Sequence, residues 1–193
     1  MTPAALTVSS ITPEDHLAFL ATQPSASFLQ TPAWAAVKSE WRAESIGWFR
    51  AGQQAPVGAG LVLHRSLPKI GRTLAYLPEG PVIDWFADDL AAWLTPMREH
   101  LRGQGAFGIR MGPPVVTRRW DAATIKKAIA DDALRSLADV PATEQDDVAA
   151  AIPATLRGLG WRELPTEGGF SAGQPKYNFQ LPLAGRTEDQ VLA

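Results

Sequence analysis

Lys38 is placed for chemistry by its neighbours: Trp34 lies four residues before it and Trp41 three after. On a helix that spacing sets an ammonium at the border of an aromatic face. Such a border suits a phosphate or carboxylate whose sugar or peptide stacks on the rings. A lysine whose stem merely covers indole rings has the same pattern, and spacing leaves both readings open. Arg110 lies in the run Phe107-Gly108-Ile109-Arg110-Met111 just before Gly112-Pro113-Pro114. A guanidinium beside a strand break faces either a cleft or solvent. The basic residues Arg118, Arg119, Lys126 and Lys127 read as a solvated helix face, because Asp131, Asp132 and Asp139 follow. His16, His64 and His100 show no metal spacing and no recurring acidic partner, so they are expected as satisfied or exposed histidines. No metal and no cofactor is expected. Nucleophile-elbow, phosphate-loop and dinucleotide motifs are absent, and the glycines of 54–60 sit in a strand-like run rather than opening a helix.

These residues need a scaffold, and the chain offers one of mixed type. Residues 5–11 read as a strand, and Thr12-Pro13-Glu14-Asp15 as a helix start whose apolar face is Leu17, Leu20 and Ala21. Thr31-Pro32 starts a second helix, on which Trp34, Val37 and Trp41 share a face. Strands are expected over 44–51, 57–64 and 73–77. The last runs into Pro78-Glu79-Gly80-Pro81, where two residues without a backbone donor end the ladder. Gly80, between the prolines, is expected at a backbone angle closed to other residues. The path Tyr76 to Asp84 would then shape a cleft wall, with Tyr76, Gly80, Pro81 and Asp84 as its site-shaping residues. Helices over 88–102, with Pro96 bending it, and 120–138 flank a strand at 107–111. A further helix opens at Thr143-Glu144-Gln145-Asp146 and buries Val148, Ile152, Leu156 and Leu159; residues 177–183 alternate as a strand. Thr187 and Gln190 form a capping box. Only three residues come after it, which reads as a chain cut at a helix start. The order predicts a mixed α/β layer rather than a regular βαβ array.

Composition narrows the function classes. With 18 Lys+Arg against 20 Asp+Glu, the net charge of −2 gives no whole-molecule case for nucleic-acid binding. The absence of cysteine excludes disulfides, a thiol nucleophile and a Cys-based zinc site. No run approaches the roughly 18 apolar residues of a membrane span, and a cytoplasmic protein is expected.

Three stretches in order resemble the Fem family (FemABX) of bacterial aminoacyltransferases. They are Phe28-x-Gln30 with Trp34-x-x-x-Lys38-x-x-Trp41, the segment Tyr76 to Asp84, and Gln174-Pro175-x-Tyr177 leading to Leu181. The resemblance implies a Gcn5-type N-acetyltransferase-like (GNAT-like) fold, the first of two such domains, over residues 1–185. Residues 186–193 would begin the helix linking it to the second. It also implies transfer of an amino acid from aminoacyl-tRNA to the stem peptide of a UDP-linked or lipid-linked muropeptide, with peripheral association at the inner face of the membrane. By the same resemblance Lys38 would meet the diphosphate, and Phe107 matches a family aromatic. Gly112 stands where that strand usually carries an Asp, a departure at the muropeptide contacts. Lys38, Trp41, Phe107 and Arg110 form the expected substrate-binding set. The catalytic residues would lie in the second domain, leaving this piece inactive. Two other readings are an acyl-CoA-dependent N-acyltransferase and a non-catalytic glycan- or peptide-binding domain.

Overall fold

The computed structural model describes residues 5–67, 69, 71–164, 175 and 177–192. The chain divides into two compact units, Met1–Glu163 and Leu164–Ala193. In the first, a five-stranded sheet has the order β1-β2-β3-β4-β5, formed by β1 (Leu6–Ser10), β2 (Arg42–Arg50), β3 (Gly58–Leu67), β4 (Arg72–Leu77) and β5 (Ala106–Met111). The first four are antiparallel neighbours. β5 runs parallel to β4, as the crossover through helix α3 (Leu90–Gly103) requires. The sheet is thus mixed in strand direction, and the fold is of mixed α/β type, as expected.

Period-2 alternation gives the sheet two faces. Ile46 and Trp48 of β2, Val62 of β3, and Ala75 and Leu77 of β4 share the core with Leu90, Trp93, Leu94, Met97 and Leu101 of α3. Trp48 also donates its indole N–H to the Trp93 carbonyl, which satisfies a polar group that burial would otherwise strand. α3 runs through Pro96, and its first turn is capped by Asp89, which accepts from the Ala92 amide. The opposite face carries α1 (Pro13–Ala21), a single 3₁₀ turn at Phe28–Gln30 and the short α2 (Pro32–Val37). Thr12 caps α1 with Pro13 in its first turn, which fits the expected helix start. Its buried residues are His16 and Leu20, whereas Leu17 is exposed. The helix is seated by the buried Leu20 together with a polar contact, His16 to Ser45.

Several expectations are corrected. α2 ends at Val37 because Lys38 leaves helical angles (φ −98, ψ 46). Trp41 therefore lies beyond the helix, and Val37 is exposed instead of sharing a buried face. The 120–138 helix shrinks to α4 (Ala122–Ile129). Asp131 accepts from the Ala133 amide just past its end, a local side-chain bond that competes with continuing the helix. Arg118 and Arg119 lie in β6 (Arg118–Arg119), paired with β7 (Glu144–Gln145). α5 (Asp147–Gly158) is capped by Asp146, not Thr143, and buries Ala149 and Ile152 while Val148 is exposed.

In the second unit, residues 177–183 form no strand; alternation makes a strand only where a ladder partner exists. Gln174, from the third family stretch, lies outside the described residues. Thr187 and Gln190 do form the capping box, opening α6 (Glu188–Leu192). No helix among the described residues is long and apolar enough to cross a membrane.

Candidate functional site

On the face opposite α3, register brings the candidate residues together. Tyr76 pairs with Leu63 on one side and with Arg110 on the other. The Arg110 guanidinium lies 5.7 Å from the Tyr76 ring centre, and the Tyr76 ring lies 6.2 Å from that of Trp41. Arg65, which no local pattern marks, sits 5.7 Å over the other side of this row, against Trp41. Two guanidiniums and two aromatic rings therefore form one surface, a combination that takes anionic and planar or sugar-like groups side by side. Arg110 Nη2 is buried and has no hydrogen-bond partner among the described residues. An unpaired buried donor costs free energy, so an incoming acceptor would gain by satisfying it.

The other expected residues are dispersed. Lys38 stands at the C-terminus of α2 with its Nζ 5.5 Å over the Trp34 ring, and Trp34 packs edge-on against Phe28. Phe107 is the extra residue of a bulge, since Thr73 pairs with Ala106 while Leu74 pairs with Gly108; its side chain is 49% exposed. Gly112 extends the β4–β5 pairing by donating to the Leu77 carbonyl. Asp84 accepts from the Phe86 amide and so organises a turn. Pro81 packs near Gly60, and Val82 rejoins the sheet opposite Ala59.

Gly80 requires a correction. The positive φ in this turn belongs to Glu79 (φ 46), not to Gly80. What excludes a side chain at Gly80 is space: an added Cβ would lie 2.3 Å from Gln30 Cδ. Gln30 is fully buried. Its Oε1 accepts from the Leu61 amide at 3.0 Å and its Nε2 donates to the Pro78 carbonyl.

Two of the histidines, His64 and His100, do share an acidic partner, supplied by the fold. Glu44 on β2 accepts from His64 at 3.0 Å, from His100 on α3 at 2.7 Å and from Ser10 at 2.7 Å. Burial pushes the Glu44 carboxyl up, but the hydrogen bonds from His64, Ser10 and His100 outweigh it and lower its pKa to about 2. The group lies on the α3 face, away from the guanidinium row. Among the described residues no cluster could hold a metal ion. His16 is buried with Nδ1 2.9 Å from Ser45 Oγ, and its Nε2 has no partner among the described residues. Burial lowers its pKa to about 4.

Residues 54–56 lie in the β2–β3 turn and line a groove of about 380 Å³ with Ile11, Phe19 and Phe49. None of the candidate site residues lines this groove.

Over residues 11–193 the sequence matches the FemAB family. The chain belongs to the FemAB family. Its relatives include the lipid II:glycine glycyltransferase of Staphylococcus aureus, 32% identical over 123 residues. That match takes in 62% of this chain but only 29% of the relative. The solved structure of FemX is 29% identical, with 57% of this chain and 27% of FemX covered at a TM-score of 0.46. A ribosomal-protein-alanine N-acetyltransferase from Brucella melitensis biovar Abortus 2308 is 17% identical, covering 68% of this chain and 96% of its own, at a TM-score of 0.39. Overlaps this loose do not bear on function.

Proposed function

We propose that the chain supplies the acceptor-binding, first GNAT-like part of an aminoacyltransferase of peptidoglycan synthesis. The amine of a muropeptide stem residue attacks the ester carbonyl of an aminoacyl-tRNA. The C–N bond forms, the ester C–O bond breaks, and the tRNA hydroxyl leaves with the proton. That ester is already activated, so positioning and charge stabilisation are enough to drive the transfer. Lys38, Trp41, Phe107 and Arg110 bind the muropeptide, joined by Arg65.

One observation carries this reading: the row Arg65–Trp41–Tyr76–Arg110, whose Arg110 Nη2 lacks a partner among the described residues. Its chemistry suits a ligand with anionic groups beside a sugar and peptide. Membership of a family whose relatives bear the name lipid II:glycine glycyltransferase supports the substrate class. The acyl-CoA reading fares worse. A pyrophosphate seated at the N-terminus of α3 would meet the Asp89 carboxylate that already caps it, with Asp88 adjacent.

The test is calorimetric titration of the chain with a UDP-linked muropeptide and, separately, with acetyl-CoA. Saturable muropeptide binding, weakened by salt, and no binding of acetyl-CoA is the expected result. Binding of acetyl-CoA without the muropeptide would overturn the reading.

A further inference from the structure

The antiparallel β3–β4 ladder is interrupted at one place. β4 leaves after Leu77, and Val82 rejoins opposite Ala59, which donates to the Val82 carbonyl and accepts from the Val82 amide. Between the Leu63–Tyr76 pair and this bridge, the Leu61 amide points into a gap, since alternate residues of a strand present their polar groups to the same side. The side chain of Gln30 fills the gap. Its amide accepts from Leu61 and donates to Pro78, as a length of strand backbone would. Absence of a side chain at Gly80 makes the room. Three residues earlier, Ser27 donates to Glu79 in the same turn.

The segment held in this way is the one that leads directly into α2. Phe28 lies against Trp34, Trp34 under Lys38, and Trp41 against Tyr76. α2 itself has no buried residue, so its own packing holds it only weakly. The buried anchor of the arm is Gln30.

We infer that Gln30 is a positioning residue: its buried amide fastens the arm bearing Lys38 and Trp41 onto the sheet bearing Tyr76 and Arg110. What the arm then binds rests on the proposed function; where it sits does not.

The test uses Gln30→Met, which keeps volume and loses both bonds, and Gln30→Glu. A protonated glutamic acid can accept from Leu61 and donate to Pro78, whereas the carboxylate can only accept. Because the chain has no cysteine, spin labels on Ser39→Cys and Ser66→Cys, both exposed positions, report the distance from the arm to β3. Amide exchange at Leu61 and the Kd for a UDP-linked muropeptide complete the readouts, each followed from pH 5 to about 9 with thermal melts recorded alongside. Gln30→Met should stay folded, broaden the distance distribution, speed Leu61 exchange and weaken binding about tenfold at every pH. Gln30→Glu should match the parent at low pH and Gln30→Met at high pH. Glu79 and His16 are present in the parent, whose own profile is the control for their titration.

An unchanged distance distribution in Gln30→Met, or a Gln30→Glu protein whose distance ignores pH, would overturn the inference. If Gln30→Met fails to fold, Gln30→Glu decides alone, within one folded protein. If the parent does not bind the muropeptide, the proposed function falls while distance and exchange still decide the role of Gln30.

Discussion

Replacing Gly80 with alanine separates two explanations of the Pro-Glu-Gly-Pro turn. Gly80 does not occupy the left-handed region, so its backbone can accept a side chain. On that ground alone Gly80→Ala would stabilise the protein by about 0.4–1 kcal/mol, through a less flexible unfolded chain. The neighbourhood reverses the sign. The new Cβ would sit 2.3 to 2.6 Å from all three terminal heavy atoms of Gln30. A flexible side chain on the surface would swing away at little cost, but this one is buried and bonded at both ends. Displacing it leaves the Leu61 amide and the Pro78 carbonyl unpaired, at roughly 1–3 kcal/mol for each buried group. The net loss should be about 2–5 kcal/mol, a large part of a domain's stability of roughly 5–15 kcal/mol. The assay is urea unfolding of the parent, Gly80→Ala, Gln30→Ala and the double variant. In the Gln30→Ala background the added methyl has nothing to displace, so its cost should vanish or turn favourable, giving a coupling of about 2 kcal/mol or more. An equal cost in both backgrounds would show that backbone strain, not the Gln30 contact, forbids a side chain here.

Titration, substrate binding and turnover offer four more checks. Burial holds the His16 pKa at about 4 against 6.5, so the stability tied to its neutral form is present above pH 6.5 and lost as pH falls towards 4. The loss should reach on the order of 3 kcal/mol and be flattened by His16→Asn; a urea midpoint independent of pH in that window would contradict it. Glu44 has its carboxyl lowered from 4.5 to about 2, so its contribution disappears as pH falls from 4.5 through 2, and Glu44→Gln at pH 7 should cost about 1–3 kcal/mol by setting an amide donor against donors. Arg110→Met should weaken muropeptide binding by about 1–3 kcal/mol and leave the melting temperature unchanged or higher, because Nη2 has no partner to lose; a marked drop in stability would assign the side chain to the fold. Aminoacyl transfer by these 193 residues alone should be undetectable, and turnover with a muropeptide and aminoacyl-tRNA would place the catalytic groups inside this chain.

What the sequence alone determined is mostly local. Thr12-Pro13 opening α1, the end of β4 at Pro78 and the Thr187–Gln190 capping box all act within a few residues. Such signals are legible because caps and prolines act on the backbone beside them. Residue order also carried the likeness to the FemAB family, including Phe28-x-Gln30, though not the reason for its glutamine. Only the tertiary structure decided which distant groups meet. Glu44 joins His64 and His100 across 20 and 56 residues, and Gln30 reaches Leu61 and Pro78 across 31 and 48. Arg65 belongs to the guanidinium row because β3 and β4 align Leu63 with Tyr76, two residues away. A shift of one residue in that register would turn Arg65 to the other face of the sheet from Tyr76. Strand register arises from packing of the whole sheet, so Arg65 and the role of Gln30 emerge only from the assembled fold.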